Sequence, residues 1–145
     1  MRLSVFALLL GCMFNATAAD GAGAWRALSI VRSDGVRVDL SVEVAADAQR
    51  RRLGLMGRTE LPARHGMLFD FGAPTLVTMW MKDTPLSLDM LFLDEHGQIV
   101  GLQARTTPYS VALITTVQPV RYVLEINAGE AQALGLARGA RALLP

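Results

Sequence analysis

Val36 to Val44 reads V-R-V-D-L-S-V-E-V. Val36, Val38, Leu40, Val42 and Val44 alternate strictly with Arg37, Asp39, Ser41 and Glu43. Period two marks a strand with one face buried and the other in water. On that pattern Glu43 faces solvent. Asp34-Gly35, just before, is a hairpin turn signal, and Leu28 to Arg32 supplies the partner strand.

The period changes after Ala46. Asp47 can cap a short helix that carries Arg50, Arg51 and Arg52, and Gly54 and Gly57 limit its length. Apolar runs then return. Met67 to Phe71, Leu76 to Met81, Leu86 to Leu93, Ile99 to Gln103 and Val120 to Asn127 all predict strands. Gly72-Ala73-Pro74, Lys82 to Pro85 and Asp94 to Gly97 separate four of them. Gly129 to Leu136 predicts a second short helix, and Ala140 to Leu144 a last strand. Thr106 to Pro119 has no clear period and predicts loop with at most one short strand. Many short strands with about two short helices predict a mainly β fold, a sandwich, jelly roll or barrel, in a single domain.

The N-terminus is of another kind. Arg2 is the only charge before Asp20, Leu3 to Phe14 is apolar, and Ala16-Thr17-Ala18 offers small residues. This predicts a cleaved signal peptide over residues 1–19 and a single domain over 20–145. Leu9 to Cys12 also resembles a lipobox, so a lipoprotein anchored through Cys12 is the alternative. Cys12 is the only cysteine. If it leaves with the leader, the domain has no thiol for a disulfide, a metal or nucleophilic catalysis. Without Arg2, thirteen basic residues balance thirteen acidic ones. A balanced, exported chain is a poor match for nucleic acid.

Two acidic residues fall on apolar strands. Asp89 shares a strand face with Leu91 and Leu93, and Glu125 with Val123 and Asn127. A buried carboxylate is costly unless paired or hydrogen-bonded, so both require partners; for Asp89, Arg51, Arg58, Lys82 and the free backbone N–H groups of residues 82–85 are available. Asp89 reads either as a clamp on a turn or as part of a polar rim with Arg58, Lys82, Asp83 and Thr84. As a pair, Asp89 and Glu125 could act as a glycosidase acid and nucleophile only if their carboxyls lie roughly 5–9 Å apart.

Other chemistry finds little footing. Histidines are limited to His65 and His96, without metal-ligand spacing. No G-x-S-x-G elbow or phosphate-binding glycine loop occurs. Met79 and Met81 share a strand face, and with His65 they would make a soft set for Cu(I). Methionine is also an ordinary core filler.

Four segments come in a telling order: "RRRLGLMGRTEL" from Arg50, "GMLFDF" from Gly66, "WMKDTPLSLDMLFLD" from Trp80 and "YVLEINAGEAQALGL" from Tyr122. Together they resemble the domain of unknown function 192 family, over about Leu28 to Leu143. The resemblance implies a compact β-rich domain of sandwich or jelly-roll type and no particular reaction. The family pattern is near W-M-K-N-T-x-I-P-L-D. This chain has Asp83 for the Asn and Ser87 for the Pro, and Ala140 where an Asp often follows glycine.

The expectation is an exported domain, periplasmic or secreted, serving as a non-catalytic binding or accessory module of the envelope. Its contact site would be Arg58, Lys82, Asp83, Thr84, Asp89 and Glu125. Its partner would be a small molecule, a glycan or an envelope protein. No cofactor, nucleic acid or transmembrane helix after processing is expected. The alternatives are a hydrolase of envelope carbohydrate or peptide using Asp89 and Glu125, and a Cu(I) carrier using Met79, Met81 and His65.

Overall fold

The computed structural model describes residues 23–144. The leader and Cys12 lie outside the described residues. Nine strands and two helices follow in chain order: β1 Arg26–Val31, β2 Arg37–Ala45, α1 Ala48–Leu53, β3 His65–Thr75, β4 Thr78–Met79, β5 Leu88–Leu93, β6 Ile99–Gln103, β7 Ile114–Thr115, β8 Val120–Asn127, α2 Glu130–Ala133 and β9 Arg141–Leu143. The expected hairpin is β1 and β2, antiparallel, with Ile30 opposite Val38.

Seven strands form one sheet in the order β6-β5-β8-β3-β2-β1-β9. All neighbours are antiparallel except β2 and β3, which run parallel. The sheet curls until its outer strands meet. The Ile99 N–H donates to the Ala140 carbonyl at 2.8 Å, and the Ala142 N–H to the Gly97 carbonyl at 2.8 Å. Gly97 (φ 81°) makes this closure possible, because a Cβ there would come within 2.4 Å of the Ala142 carbonyl oxygen. β4 and β7 pair separately as a two-stranded ribbon.

Both faces of the sheet are covered. Inside the curl lie Leu28, Ile30, Leu40, Leu68, Leu91 and Leu124, with Ala131 and Leu136 from the α2 region packed on them. On the outer face of β3, β8 and β5, Met67, Phe69, Met90, Phe92 and Val123 pack under Leu55, Leu61, Val77 and Met81. Period two therefore survives in β5 as membership of two cores and not as exposure: all six of its residues are buried. Each large aliphatic side chain so buried stabilises the fold by roughly 1.5–3 kcal/mol.

The chain between β2 and β3 passes over the outer face. There Asp47 caps α1, its carboxylate accepting from the Arg50 N–H at 2.8 Å, which is worth about 1 kcal/mol. Gly54, with φ 49°, ends the helix. This cover corrects one expectation. Glu43, read as solvent-facing, is 1% exposed. β3 also runs on through Gly72 to Thr75, absorbing the expected break as a register shift between Asp70 and Thr75.

Candidate functional site

Strand register sets four side chains in one row across the outer face. Glu43 lies opposite Met67, Met67 opposite Glu125, and Glu125 opposite Met90. The crossover carrying α1 arches over this row from one side, and β4 with the following turn from the other. Between them is a cavity of about 260 Å³. Phe69 and Glu125 line it from the sheet, Arg51 to Met56 from the crossover, Thr78, Met79 and Trp80 from the β4 side, and Thr84 from the turn. It is slightly smaller than the roughly 300–1,000 Å³ pockets that take drug-sized ligands.

The two acids of the row differ completely. Glu43 receives both Arg58 guanidinium nitrogens, at 2.6 and 2.7 Å, and the Gly23 N–H at 2.9 Å. Burial pushes its carboxyl up, but the Arg58 fork and the Gly23 N–H outweigh burial and hold it below the usual carboxylate value. Glu125 is 4% exposed and makes no side-chain hydrogen bond or ion pair among the described residues. Burial alone pushes its pKa up to about 8. It is therefore a neutral carboxylic acid at pH 7, able to donate one hydrogen bond and accept another.

The six residues expected to form one contact site fall into four places. Arg58 is not on a rim; it is the partner of Glu43. Asp89 is 1% exposed and leaves the sheet on the inner face. Its Oδ1 accepts from the Arg105 N–H at 2.8 Å, and its Oδ2 from the Gly129 and Ala131 N–H groups at 2.9 and 3.0 Å. Backbone N–H groups satisfy it, though not those of the 82–85 turn, and it ties α2 to the loop after β6. Lys82 and Asp83 form an exposed turn outside the cavity lining, with the Lys82 Nζ 5.3 Å from the Trp80 ring. Asp83 has φ 54°. A left-handed backbone suits Asn and Asp, so the Asn of the family pattern has a backbone reason that Asp83 also satisfies. Only Thr84 and Glu125 of the six face the cavity.

Because Asp89 and Glu125 point from opposite faces, they cannot flank one scissile bond. The Cu(I) set is also dispersed. Met81 is 1% exposed in the outer core, and Met79 lines the cavity. His65 lies edge-on to Trp25 at 4.7 Å, with its Nδ1 2.9 Å from the Ala63 carbonyl. Phe69 and Trp80 line the site without having been named as site residues from sequence, and Arg52 belongs to the arginine run of the short helix, beside which sequence leaves an anion or sugar site open.

A model of the domain of unknown function 192 family, described as "Uncharacterized ACR", matches residues 29–143. The chain belongs to this family. No functionally curated protein matches it. Two solved structures are similar to this member of the domain of unknown function 192 family. One, from Sinorhizobium meliloti 1021, is described as a candidate transcription regulator. It is 42% identical with a TM-score of 0.83, over 86% of this chain and 96% of that one. The other is a protein of unknown function from Novosphingobium aromaticivorans DSM 12444. It is 29% identical with a TM-score of 0.82, over 89% of this chain and 91% of that one.

Proposed function

We propose that this domain is an exported, non-catalytic module of the cell envelope that binds a small ligand in the cavity over Glu125. One observation carries the reading: the Glu125 carboxyl has no hydrogen-bond partner among the described residues and opens onto a mostly apolar cavity. Convergent polar groups in an apolar pocket are the usual dress of a ligand site. The apolar leader with its small-residue end supports export. The balanced charge of the chain without Arg2 argues against carrying over the regulator description of the Sinorhizobium protein as DNA binding.

The test is an NMR screen of small organic fragments against the isotope-labelled processed chain. Hits are expected to shift the Trp80 indole N–H and the amides of Arg52 to Met56 together. Hits confined to other surfaces, or no hits at millimolar concentration, would remove the reading. Export is tested separately, by fractionating cells that make the full chain. Recovery of the unprocessed chain in the cytoplasm would contradict it.

A further inference from the structure

The lining of the cavity has a consistent sign. Among the described residues, Arg51 and Arg52 are its cations and Glu125 is its only acid. With that acid protonated, no negative charge lines the space in neutral solution. Arg51 is already engaged: its guanidinium donates to the carbonyls of Ala46 and Asp70 and lies 5.5 Å from the Phe71 ring centre. Arg52 has no ion pair and no side-chain hydrogen bond among the described residues. Lys82, held against Trp80, adds positive potential on the β4 side. The remaining walls are Leu53 to Met56, Phe69, Met79 and Trp80, with Thr78 and Thr84, whose hydroxyls already bond Thr115 and the Lys82 carbonyl.

We propose that the ligand is a small organic monocarboxylate with an apolar body, its carboxylate held by Arg52 and its body lying between Phe69, Met79 and Trp80 over Glu125. This rests on the cavity being the ligand site. Guanidinium is the side chain best shaped to take a carboxylate, by two parallel hydrogen bonds. A cationic ligand would meet Arg51 and Arg52 with no anion to offset them. A neutral one would leave Arg52 unused. The apolar walls favour a hydrocarbon body over a sugar, whose hydroxyls would go largely unpaired there. The floor offers one donor, the Glu125 hydroxyl, to an oxygen at the ligand's far end.

Hexanoate, 1-hexanol and hexylamine share one hydrocarbon body and differ in charge. Each is titrated by NMR at pH 7 into the processed wild-type chain and into Arg52→Gln. Arg52 is exposed and unpartnered, so the substitution is expected to leave the fold intact, as circular dichroism will verify. Hexanoate should bind roughly tenfold tighter than hexanol, a difference of about 1.4 kcal/mol. Hexylamine should bind weakest. Arg52→Gln should abolish the hexanoate preference and leave hexanol unchanged. If hexylamine binds as well as hexanoate, or if Arg52→Gln keeps the preference, the carboxylate assignment is wrong while the cavity remains a ligand site. If none of the three shifts the cavity residues, both readings fail.

Discussion

Asp89 and Glu125 stand one register step apart on adjacent strands, Asp89 opposite Ile126 and Glu125 opposite Met90, and their carboxyls leave opposite faces of the sheet. Inside the curl, Asp89 is saturated by three backbone N–H groups. On the outer face, Glu125 has none among the described residues. The same residue class, on the same sheet, is a fastening in one place and an open valence in the other.

Glu125 should govern how stability depends on pH. Its ordinary value is 4.5, and in the fold it is about 8. Between those values the native state holds a proton that the unfolded chain has lost. Native stability therefore falls as pH rises through this window, by at most about 1.4 kcal/mol per pH unit. Glu125→Gln removes the effect while keeping size and a donor. The melting temperature of the variant minus that of the wild type should be near zero at pH 4 and reach several degrees by pH 8. A pH-independent difference would show that Glu125 is not buried as a neutral acid.

Arg58→Ala leaves the Glu43 carboxylate buried beside a vacated site. Removing one member of a buried pair costs about 3–5 kcal/mol. Adding Glu43→Gln should recover part of that loss, because the stranded charge goes with it. Urea denaturation of the four members of this cycle measures the coupling, and strictly additive losses would contradict the pairing.

Asp89→Asn keeps an acceptor at one position and places an amide donor against backbone N–H groups at the other. Each buried donor left unsatisfied costs roughly 1–3 kcal/mol. The melting temperature should drop by several degrees. Fragment binding at the Glu125 cavity should be unchanged at temperatures where the variant is folded. A wild-type melting curve would refute the clamp.

At Asp83 the left-handed backbone makes the side chain replaceable in one direction only. Asp83→Asn should be neutral within experimental error. Asp83→Val should cost roughly 1–2 kcal/mol, the usual penalty for a Cβ-bearing residue held in that region. Equal midpoints in urea for the two variants would mean that the turn relaxes.

Local pattern carried the strands well. Period two in Val36 to Val44 correctly sent Val38, Leu40 and Val42 to the inner core. It failed at Glu43, because whether a sheet face meets water depends on which distant segment folds over it. Nothing near Glu43 announces that Arg58, fifteen positions on, will come down beside it. Glu125 was recognisable as a charge among apolar residues that needs a partner, yet it has none among the described residues. Its cross-strand neighbours are Met67 and Met90, a fact of register between distant strands. The cavity itself is a gap between two segments that cover one sheet face. Periodicity describes occupied positions and is silent about gaps, so nothing marked Trp80 as a wall of one.

The single parallel pairing, β2 beside β3, explains why there is room for a site at all. Two neighbouring strands that run the same way cannot be joined by a tight turn; the chain must travel back over a face before starting again. Here that return journey supplies one wall of the cavity, with Arg51 and Arg52 on it. Most of its residues lie outside the ladder of strand hydrogen bonds, so insertions or substitutions along it can reshape what the cavity admits while strand pairing is left alone. The architecture thus separates the part that must stay fixed from the part that can change.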